Sequence, residues 1–456
     1  MSPPLKAAAL LRRAAKLALL AVGTLSATHA SAAWQAPFNL GPSDRTGGDI
    51  ATRADGLVVA AWTQNGSCAS CGEQLVTRQR DTLGHWGPTE TIATDSSFQE
   101  PKIRFAPNGV ATAVWGGSAG RLLTSDRING RWTAPVVLTT KLAFPSNYHG
   151  ISYRLAGNAN GDLVLVWSEA DSRYPVRLKT AVRKAAGAWS PSDAATAPGK
   201  QIGLEDVAIN AGGTVVVSWE SFDENCGPSR CRPSNYALHV SRLVPGSGAW
   251  VASPQLGVSS YSGVSGRVAI DDQGRVGVTS ESYSSQNQVV AYTQPAVGAA
   301  WAGPSTVFIG YGIAGGIGTD SAGHATIAVL RELPGGGPVA AVDGDLATSR
   351  WTAPKLLEPA SKLMGQDLQF AVAPDGRAVM SWFSTDGTYK YDGRASVRPA
   401  TGAPWGSAAA LPLPSQFGDY PLAGVAVQAG GKAAVGTFSP LGQSATGFSE
   451  YVQVWR

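Results

Sequence analysis

Short stretches in which apolar and polar residues alternate recur along the chain, and a tight glycine turn interrupts each of them. Alternation with a period of two residues is typical of strands buried on one face. Asn-Gly, Asp-Gly, Gly-Gly and Gln-Gly turns between such runs indicate β-hairpins. No long segment has the apolar period of a helix, so the pattern predicts an all-β protein. The eight hairpin units are 49–62, 102–115, 154–167, 206–219, 267–280, 316–329, 369–382 and 424–437.

Each hairpin is followed by a third apolar run, a turn that ends in tryptophan, and a fourth short run. The turn tryptophans are Trp34, Trp86, Trp132, Trp189, Trp250, Trp301, Trp351 and Trp405. Four short strands repeated about every 50 residues are typical of a β-propeller blade. The sequence therefore predicts a propeller of about eight four-stranded blades. A count of seven stays open if the tryptophan-poor region 267–329 is irregular.

The two ends of the repeat region are incomplete units. Trp34 and the residues after it resemble a fourth strand without its blade, and residues 450–456 resemble a third strand without its successor. We expect these ends to pair with each other, because closure of the ring removes a free sheet edge.

The first 32 residues have the composition of a secretory signal peptide. Basic residues precede an apolar run, and the small residues Ala30 and Ala32 follow it. The sequence predicts cleavage after Ala32, a single propeller domain over 33–456, and export to the periplasm or the medium. The Arg12-Arg13 pair leaves both the general secretory route and the twin-arginine route open. No later apolar run reaches the roughly 18 residues of a membrane span.

The charge of the exported chain is close to zero. The full sequence has 36 basic and 32 acidic residues, and four of the basic residues lie in the predicted signal peptide. A neutral protein lacks the basic field on which binding to nucleic acid or to an anionic membrane rests. We therefore expect an extracellular glycan or a protein as partner, a monomer, and no cofactor or metal.

Four cysteines lie in two of the longer connections. Cys68 and Cys71 lie close together, as do Cys226 and Cys231. An even number in an exported chain predicts two local disulfides. A four-cysteine zinc site and a redox role for the first pair are the alternatives.

The connections divide the predicted ring into two faces. Tight turns lie on one side, which we call the tight-turn face, and long connections lie on the other, the long-loop face. Binding residues commonly lie on long loops held by a rigid frame, so the long-loop face is the candidate. Its longest connections are 63–74, 139–150, 220–235 and 412–423.

Five charged residues occupy one repeated position, seven residues before the turn glycine of a hairpin. They are Asp49, Lys102, Arg154, Asp206 and Arg267. This position predicts a ring of charge near the channel mouth. The three cations could form a pocket for a carboxylated sugar, since fixed guanidinium groups suit carboxylates. Alternatively, acids and bases of neighbouring blades could neutralise one another.

Candidate catalytic residues lie on the same face. Tyr148 and His149 could act as acid and base in polysaccharide elimination, and Glu220, with Glu169 and Glu281 at comparable positions, could contribute to glycoside hydrolysis. The tryptophans at the ends of second strands could stack on sugars, but large aromatic side chains more often pack in cores.

The turn that contains Ser125, Asp126, Gly130 and Trp132 resembles the Asp box, S-x-D-x-G-x-T-W, of the sialidase-like or BNR-repeat propellers. Ser125 and Trp132 keep the outer spacing, whereas Asp126 and Gly130 are each shifted by one position. The resemblance implies a propeller in which these turns are structural and lie away from the active site. Sialidases of that family have six blades and an arginine triad, and no arginine motif of the F-R-I-P type occurs here.

These features predict an exported propeller that binds a glycan or a protein surface through its long-loop face. One alternative is a polysaccharide lyase or glycoside hydrolase with its site at the channel mouth. Another is a scaffold protein of the cell envelope.

Overall fold

The computed structural model describes most of the predicted propeller domain. The described residues are 34–36, 38–43, 48–66, 72–99, 101–106, 108–143, 153–170, 177–185, 187–197, 200–226, 231–259, 264–282, 288–310, 312–331, 337–358, 363–385, 391–411, 423–427, 434–439 and 448–454. The predicted signal peptide, 1–32, lies outside them. Among the described residues, no helix is long and apolar enough to cross a membrane, and the helical content is one 3-10 turn at Ser118–Gly120.

The described strands form eight antiparallel sheets, numbered here in chain order. Strand β1 (Phe38–Ser43) belongs to the last of them. Sheet 1 contains β2 (Gly48–Thr52), β3 (Val58–Asn65), β4 (Glu73–Arg80) and β5 (Glu90–Asp95). Sheet 2 contains β6 (Lys102–Phe105), β7 (Ala111–Gly117), β8 (Arg121–Ile128), β9 (Arg131–Trp132) and β10 (Val136–Thr139). Sheet 3 contains β11 (Tyr153–Gly157), β12 (Leu163–Glu169), β13 (Arg177–Arg183) and β14 (Ser190–Thr196).

The second half of the chain continues the same order. Sheet 4 contains β15 (Gln201–Ile209), β16 (Val215–Cys226), β17 (Cys231–Leu243), β18 (Trp250–Ala252) and β19 (Gly257–Ser259). Sheet 5 contains β20 (Gly266–Ile270), β21 (Val276–Ser282), β22 (Gln288–Gln294) and β23 (Ala302–Ile309). Sheet 6 contains β24 (Gly312–Thr319), β25 (His324–Arg331), β26 (Val339–Asp345), β27 (Arg350–Trp351) and β28 (Lys355–Glu358).

The last two sheets complete the ring. Sheet 7 contains β29 (Leu363–Val372), β30 (Ala378–Thr385), β31 (Tyr391–Arg398) and β32 (Ala409–Leu411). Sheet 8 contains β33 (Ala423–Ala426), β34 (Ala434–Ser439), β35 (Phe448–Val454) and β1. The first strand of each sheet contacts the first strands of its neighbours all the way round, so these strands surround a central channel. The predicted all-β propeller is confirmed. Residues 267–329 contribute regular strands to sheets 5 and 6.

Pairing of the two chain ends closes the ring, as the repeat pattern predicts. β1 is antiparallel to β35, with Phe38 opposite Val452 and Ser43 opposite Phe448. The backbone N–H of Gln35 also donates to the carbonyl of Val454 at 2.9 Å. One sheet is therefore built from both ends of the domain.

The core lies between the sheets, in eight apolar clusters that each join two successive sheets. All five second-strand tryptophans are buried in these clusters: Trp62, Trp115, Trp167, Trp219 and Trp382. The packing interpretation of these residues is confirmed, because aromatic rings with no exposed face are not available to stack on a sugar.

Side-chain hydrogen bonds link the tight turns of neighbouring sheets. The amide Nδ2 of Asn158 donates to the carbonyl of Asn210 at 2.8 Å, and Nδ2 of Asn210 donates to the carbonyl of Asp271 at 2.8 Å. Asn210 also closes its own turn, since its Oδ1 accepts the N–H of Thr214 at 2.9 Å. The inner strands of sheets 3, 4 and 5 are thereby held together at their tight-turn ends.

Candidate functional site

The repeated charged position lies on the first strand of each sheet, beside the channel. Lys102 begins β6, and Arg154 and Arg267 are the second residues of β11 and β20. All three residues are half-buried. Because β6, β11, β15 and β20 are successive inner strands, these cations and the two aspartates follow one another around the ring.

The two aspartates of this position bind the backbone of the next inner strand. Asp49 Oδ2 accepts the N–H of Ile103 at 2.9 Å, and Asp206 Oδ2 accepts the N–H of Val268 at 3.2 Å. Asp49 also binds the guanidinium of Arg104 at 2.7 Å. In these contacts both carboxylates act as cross-links between neighbouring sheets.

Arg154 and Arg267 converge on a residue that lies between them. Arg154 Nε and Arg267 Nη1 both donate to the backbone carbonyl of Glu205, each at 3.3 Å. The Nε of Arg267 is buried and has no hydrogen-bond partner among the described residues. Three successive sheets thus direct two guanidinium groups and a carboxyl-bearing residue to one part of the channel.

Glu205 lies at a β-bulge of β15. Leu204 is opposite Trp219 and Asp206 is opposite Ser218, so Glu205 is an extra residue between two regular pairs. Bulges of this kind re-aim a side chain and are common beside functional sites. The Glu205 side chain keeps part of its surface exposed, and its Oε2 accepts the N–H of Gly266 at 3.3 Å.

Glu220 lies behind Glu205 on the adjacent strand β16. Its side chain is buried, and its Oε2 accepts the N–H of Val264 at 3.1 Å. Gly203 faces it across the pair of strands, and a Cβ on Gly203 would lie 2.8 Å from Glu220 Oε1. The absence of a side chain at Gly203 therefore lets Glu220 lie directly against the strand that carries Glu205.

The proximity of Glu220 changes the protonation of Glu205. Burial and the negative charge of Glu220 raise the pKa of Glu205 to about 8, against the opposing effects of Arg267 and Arg154. Burial and the same Glu220 charge raise the pKa of Tyr236 to about 12. Glu205 is therefore largely a neutral acid at pH 7, and it can donate a hydrogen bond or a proton.

The other candidate acids are differently placed. The carboxylate of Glu169 is buried and accepts hydrogen bonds from Thr139 at 2.8 Å and from the indole of Trp167 at 3.0 Å. Glu281 is buried on β21. Tyr148, His149 and the whole segment 144–152 lie outside the described residues, so their predicted roles stay predictions.

The described histidines lie in structural contacts. His85 binds Asp81 at 3.2 Å, His239 contacts Ser221 at 3.0 Å, and His324 binds Asp320 at 2.9 Å. Burial, followed by the charge of Lys200, lowers the pKa of His239. A neutral His239 stacked on Trp219 fits the interior of sheet 4.

The predicted disulfides lie at the edge of what the structure describes. Cys226 and Cys231 are directly opposite each other at the ends of β16 and β17, which suits a cross-strand bridge, but nothing is described of their side chains. Cys68 and Cys71 lie outside the described residues. Both disulfides stay predictions.

The turn that resembles an Asp box lies on the tight-turn face, as its place in the repeat implies. Asn129 and Gly130 adopt φ angles of 50° and 79°, so the two residues between β8 and β9 both have left-handed backbone. This geometry is typical of a type I′ hairpin turn, for which Asn-Gly is the preferred sequence. The shifted Asp126 leaves the turn and binds the neighbouring sheet.

Asp126 is the centre of an ion cluster that has a second copy among the described residues. Its carboxylate accepts hydrogen bonds from Thr112 at 2.7 Å and from Arg183 of the next sheet at 2.7 and 2.9 Å. Arg183 is buried and lies 4.8 Å from the ring centroid of Trp189. The second copy has the same kinds of partner: Asp343 accepts hydrogen bonds from Thr326 and, through one oxygen, from Arg398, which lies 5.5 Å from the ring centroid of Trp405.

Glu205 is the residue that sequence reasoning missed. The strand 202–209 contains two consecutive acids among apolar residues. In a regular strand, neighbours point to opposite faces, so only one of the two can point to the channel. Two consecutive acids in such a strand therefore indicate an irregular strand, although they do not show where the bulge lies.

Comparisons with known proteins give structural likeness without a family. No protein-family model matches the chain, and no curated protein matches it. Among solved structures, the polysaccharide lyase Uly1 is 10% identical, with 90% of each chain covered and a TM-score of 0.49. The BP39L lectin from Burkholderia pseudomallei is 14% identical, with 80% of this chain and 99% of the lectin covered and a TM-score of 0.48. A protein of unknown function from Dyadobacter fermentans is 13% identical, with 69% and 97% covered and a TM-score of 0.42. Likeness at this level does not bear on activity.

Proposed function

We propose that the protein is exported and binds an acidic glycan at the mouth of its central channel, on the long-loop face. The observation that carries this proposal is the convergence of Arg154 and Arg267, from sheets 3 and 5, on Glu205 of sheet 4. Guanidinium groups held in fixed positions suit carboxylates.

The charge of the site supports an anionic ligand. Arg154 and Arg267 contribute two positive charges, Glu220 contributes one negative charge, and Glu205 is largely neutral at pH 7 because its pKa is raised to about 8. The four side chains together therefore carry a net positive charge. The hydrogen bonds from Asn158 to Asn210 and from Asn210 to Asp271 hold the three inner strands in register, which reduces the ordering cost of binding.

The experiment is a retention assay of the mature protein on a panel of acidic and neutral polysaccharides, with product release followed in the same samples. We expect retention by polyuronates and no retention by neutral glucans. Arg267→Met should weaken retention by tenfold or more, about the effect of losing one charge-assisted hydrogen bond. Arg350→Met, at an exposed position on the tight-turn face, is the control and should bind as the wild type does. Full retention by Arg267→Met, or retention of no glycan, would contradict the proposal.

A polysaccharide-cleaving enzyme is the second candidate, and the carboxyl pair Glu205 and Glu220 favours it. A general acid works best when its pKa lies near the working pH, and the pKa of Glu205 is raised to about 8. Products released by the wild type and absent with Glu205→Gln would establish this function. Retention without products supports a binding protein. The absence of both retention and products supports the scaffold alternative.

A further inference from the structure

We infer that Glu205 is a proton-bearing ligand group of the channel-mouth site, and that the ligand binds the form of the protein in which this carboxyl is neutral. The inference rests on the proposed binding function and adds a residue and a proton to it. Glu220 is a positioning residue, which acts on the ligand through Glu205.

The bulge places the Glu205 carboxyl where a ligand can reach it. As the extra residue between the pairs formed by Leu204 and Asp206, Glu205 is free of the alternation that fixes its neighbours. Its side chain is partly exposed. The N–H of Gly266 binds Oε2, and within the described part of the chain this carboxyl has no second hydrogen-bond partner. One oxygen therefore remains for a proton and for the ligand.

Glu220 is a buried neighbour whose negative charge acts on Glu205. Glu220 is only 2% exposed, and the contact of its Oε2 with the N–H of Val264 holds it in place. Because Gly203 has no side chain, Glu220 lies against the backbone of β15, two residues from Glu205. Two carboxylates on adjacent strands, one of them buried, cannot both ionise at neutral pH without a cost.

The other charged and titratable groups around the pair do not offset this effect. Arg154 on β11 and Arg267 on β20 approach the carbonyl of Glu205, and their lowering effects are smaller than those of burial and Glu220. On its own strand, Asp206 is directed to the N–H of Val268. Two further groups stand on neighbouring strands: Tyr236 on β17, whose pKa is raised to about 12 partly by Glu220, and Glu169 on β12, which binds Thr139 and Trp167.

A neutral Glu205 has a direct consequence for the ligand. The carboxylic acid adds an O–H donor beside two guanidinium groups, and this set of donors suits an acceptor oxygen of an acidic sugar. Ionisation removes this donor and places a negative charge against the ligand. Sugar carboxylates, with an ordinary carboxyl pKa of about 4, do not titrate between pH 6 and 9.5, so a pH dependence in that range comes from the protein.

The test is calorimetric titration of the mature protein with an oligouronate from pH 6 to 9.5. With the pKa of Glu205 at about 8, the neutral fraction falls from about nine-tenths at pH 7 to about one-tenth at pH 9, so the apparent Kd should rise about tenfold. At pH 8.5 the wild type should take up a proton on binding, which titrations in two buffers of different ionisation enthalpy will detect.

Variants separate the proton from the fold. Glu205→Gln keeps a donor that cannot ionise, so its affinity should not change across this range and its proton uptake should vanish. Glu220→Gln should still bind, with the onset of weaker binding moved to lower pH. Glu90→Gln, which removes a carboxylate bound to Arg127 on the outer part of the ring, should keep the wild-type profile.

The outcomes distinguish the two proposals. Retention of acidic glycans with equal affinity at pH 7 and pH 9, or an unchanged pH dependence in Glu205→Gln, would overturn this inference and leave the binding function intact. Retention of no glycan at any pH would overturn both.

Discussion

Two groups of ionised side chains in this propeller differ in how completely their charges are matched. On the tight-turn face, Asp126 binds Arg183 with both carboxylate oxygens and accepts a further hydrogen bond from Thr112. At the channel mouth, Glu205 has two arginines at its carbonyl and a second carboxylate behind it. The first arrangement pairs a carboxylate with a guanidinium and stabilises two neighbouring sheets, whereas in the second burial and the charge of Glu220 keep a proton on Glu205 at pH 7. A matched cluster suits a structural role, and the less completely matched group is the one that we propose as a binding site.

The largest expected effect comes from breaking the matched cluster. Asp126→Ala leaves Arg183, only 3% exposed, without its carboxylate partner. An unpaired buried charge typically costs 3–5 kcal/mol, so we expect unfolding free energy to fall by about 3 kcal/mol. Denaturant unfolding measures this loss, and Asp343→Ala should reproduce it in sheets 6 and 7. A change below about 1 kcal/mol in both variants would contradict the structural role assigned to these clusters.

A smaller effect is expected at the hydrogen bonds that join the turns of sheets 3, 4 and 5. Asn210→Ala removes its bonds to Thr214 and to the carbonyl of Asp271. At about 1 kcal/mol for each buried hydrogen bond, the loss should be about 2 kcal/mol. Asn108→Ala provides the comparison, because Asn108 is exposed and its side chain closes only its own turn. If glycan affinity falls in Asn210→Ala and not in Asn108→Ala, the frame orders the channel mouth as well as the turns.

The smallest expected effect is a dependence of the unfolding free energy on pH at the channel mouth. The pKa of Glu205 is raised from 4.5 to about 8, so its contribution to stability is fully present below pH 4.5 and is lost as the pH rises towards 8. Glu205→Gln has no such loss. The variant should match the wild type near pH 4.5 and exceed it at pH 9 by about 1 kcal/mol, less than the full shift implies, because the side chain is partly exposed.

Thermal unfolding of both proteins at several pH values measures this difference. A constant difference between them from pH 4.5 to 9 would contradict the raised pKa of Glu205.

The sequence predicts the fold well because propeller signals are local. A tight hairpin turn requires a residue with positive φ, which glycine adopts without steric strain. Positive φ between 77° and 90° occurs at the turn residues Gly56, Gly161, Gly213, Gly274 and Gly376. Alternation in the flanking strands then determines which residues enter the clusters between sheets. The pairing of β1 with β35 follows from the phase of the same repeat.

The site is less predictable, because it depends on an irregularity and on contacts between distant residues. Arg154 and Arg267 were identified from their repeated position, and Glu220 from its place after a second strand. Their common neighbour Glu205 depends on a bulge, which inserts one residue without a sequence mark. The carboxylate of Asp206 accepts the N–H of Val268, and backbone donors have no signature in a sequence.

The pairing of β1 with β35 sets the time at which this protein can finish folding. Its last sheet needs residues near both ends of the domain, so no ribosome-bound chain can complete the ring before the final strand is made. At about 5–20 residues per second, synthesis of a chain of this length takes on the order of half a minute or more. Throughout that interval the growing chain carries an open sheet edge, which only the last strand can pair.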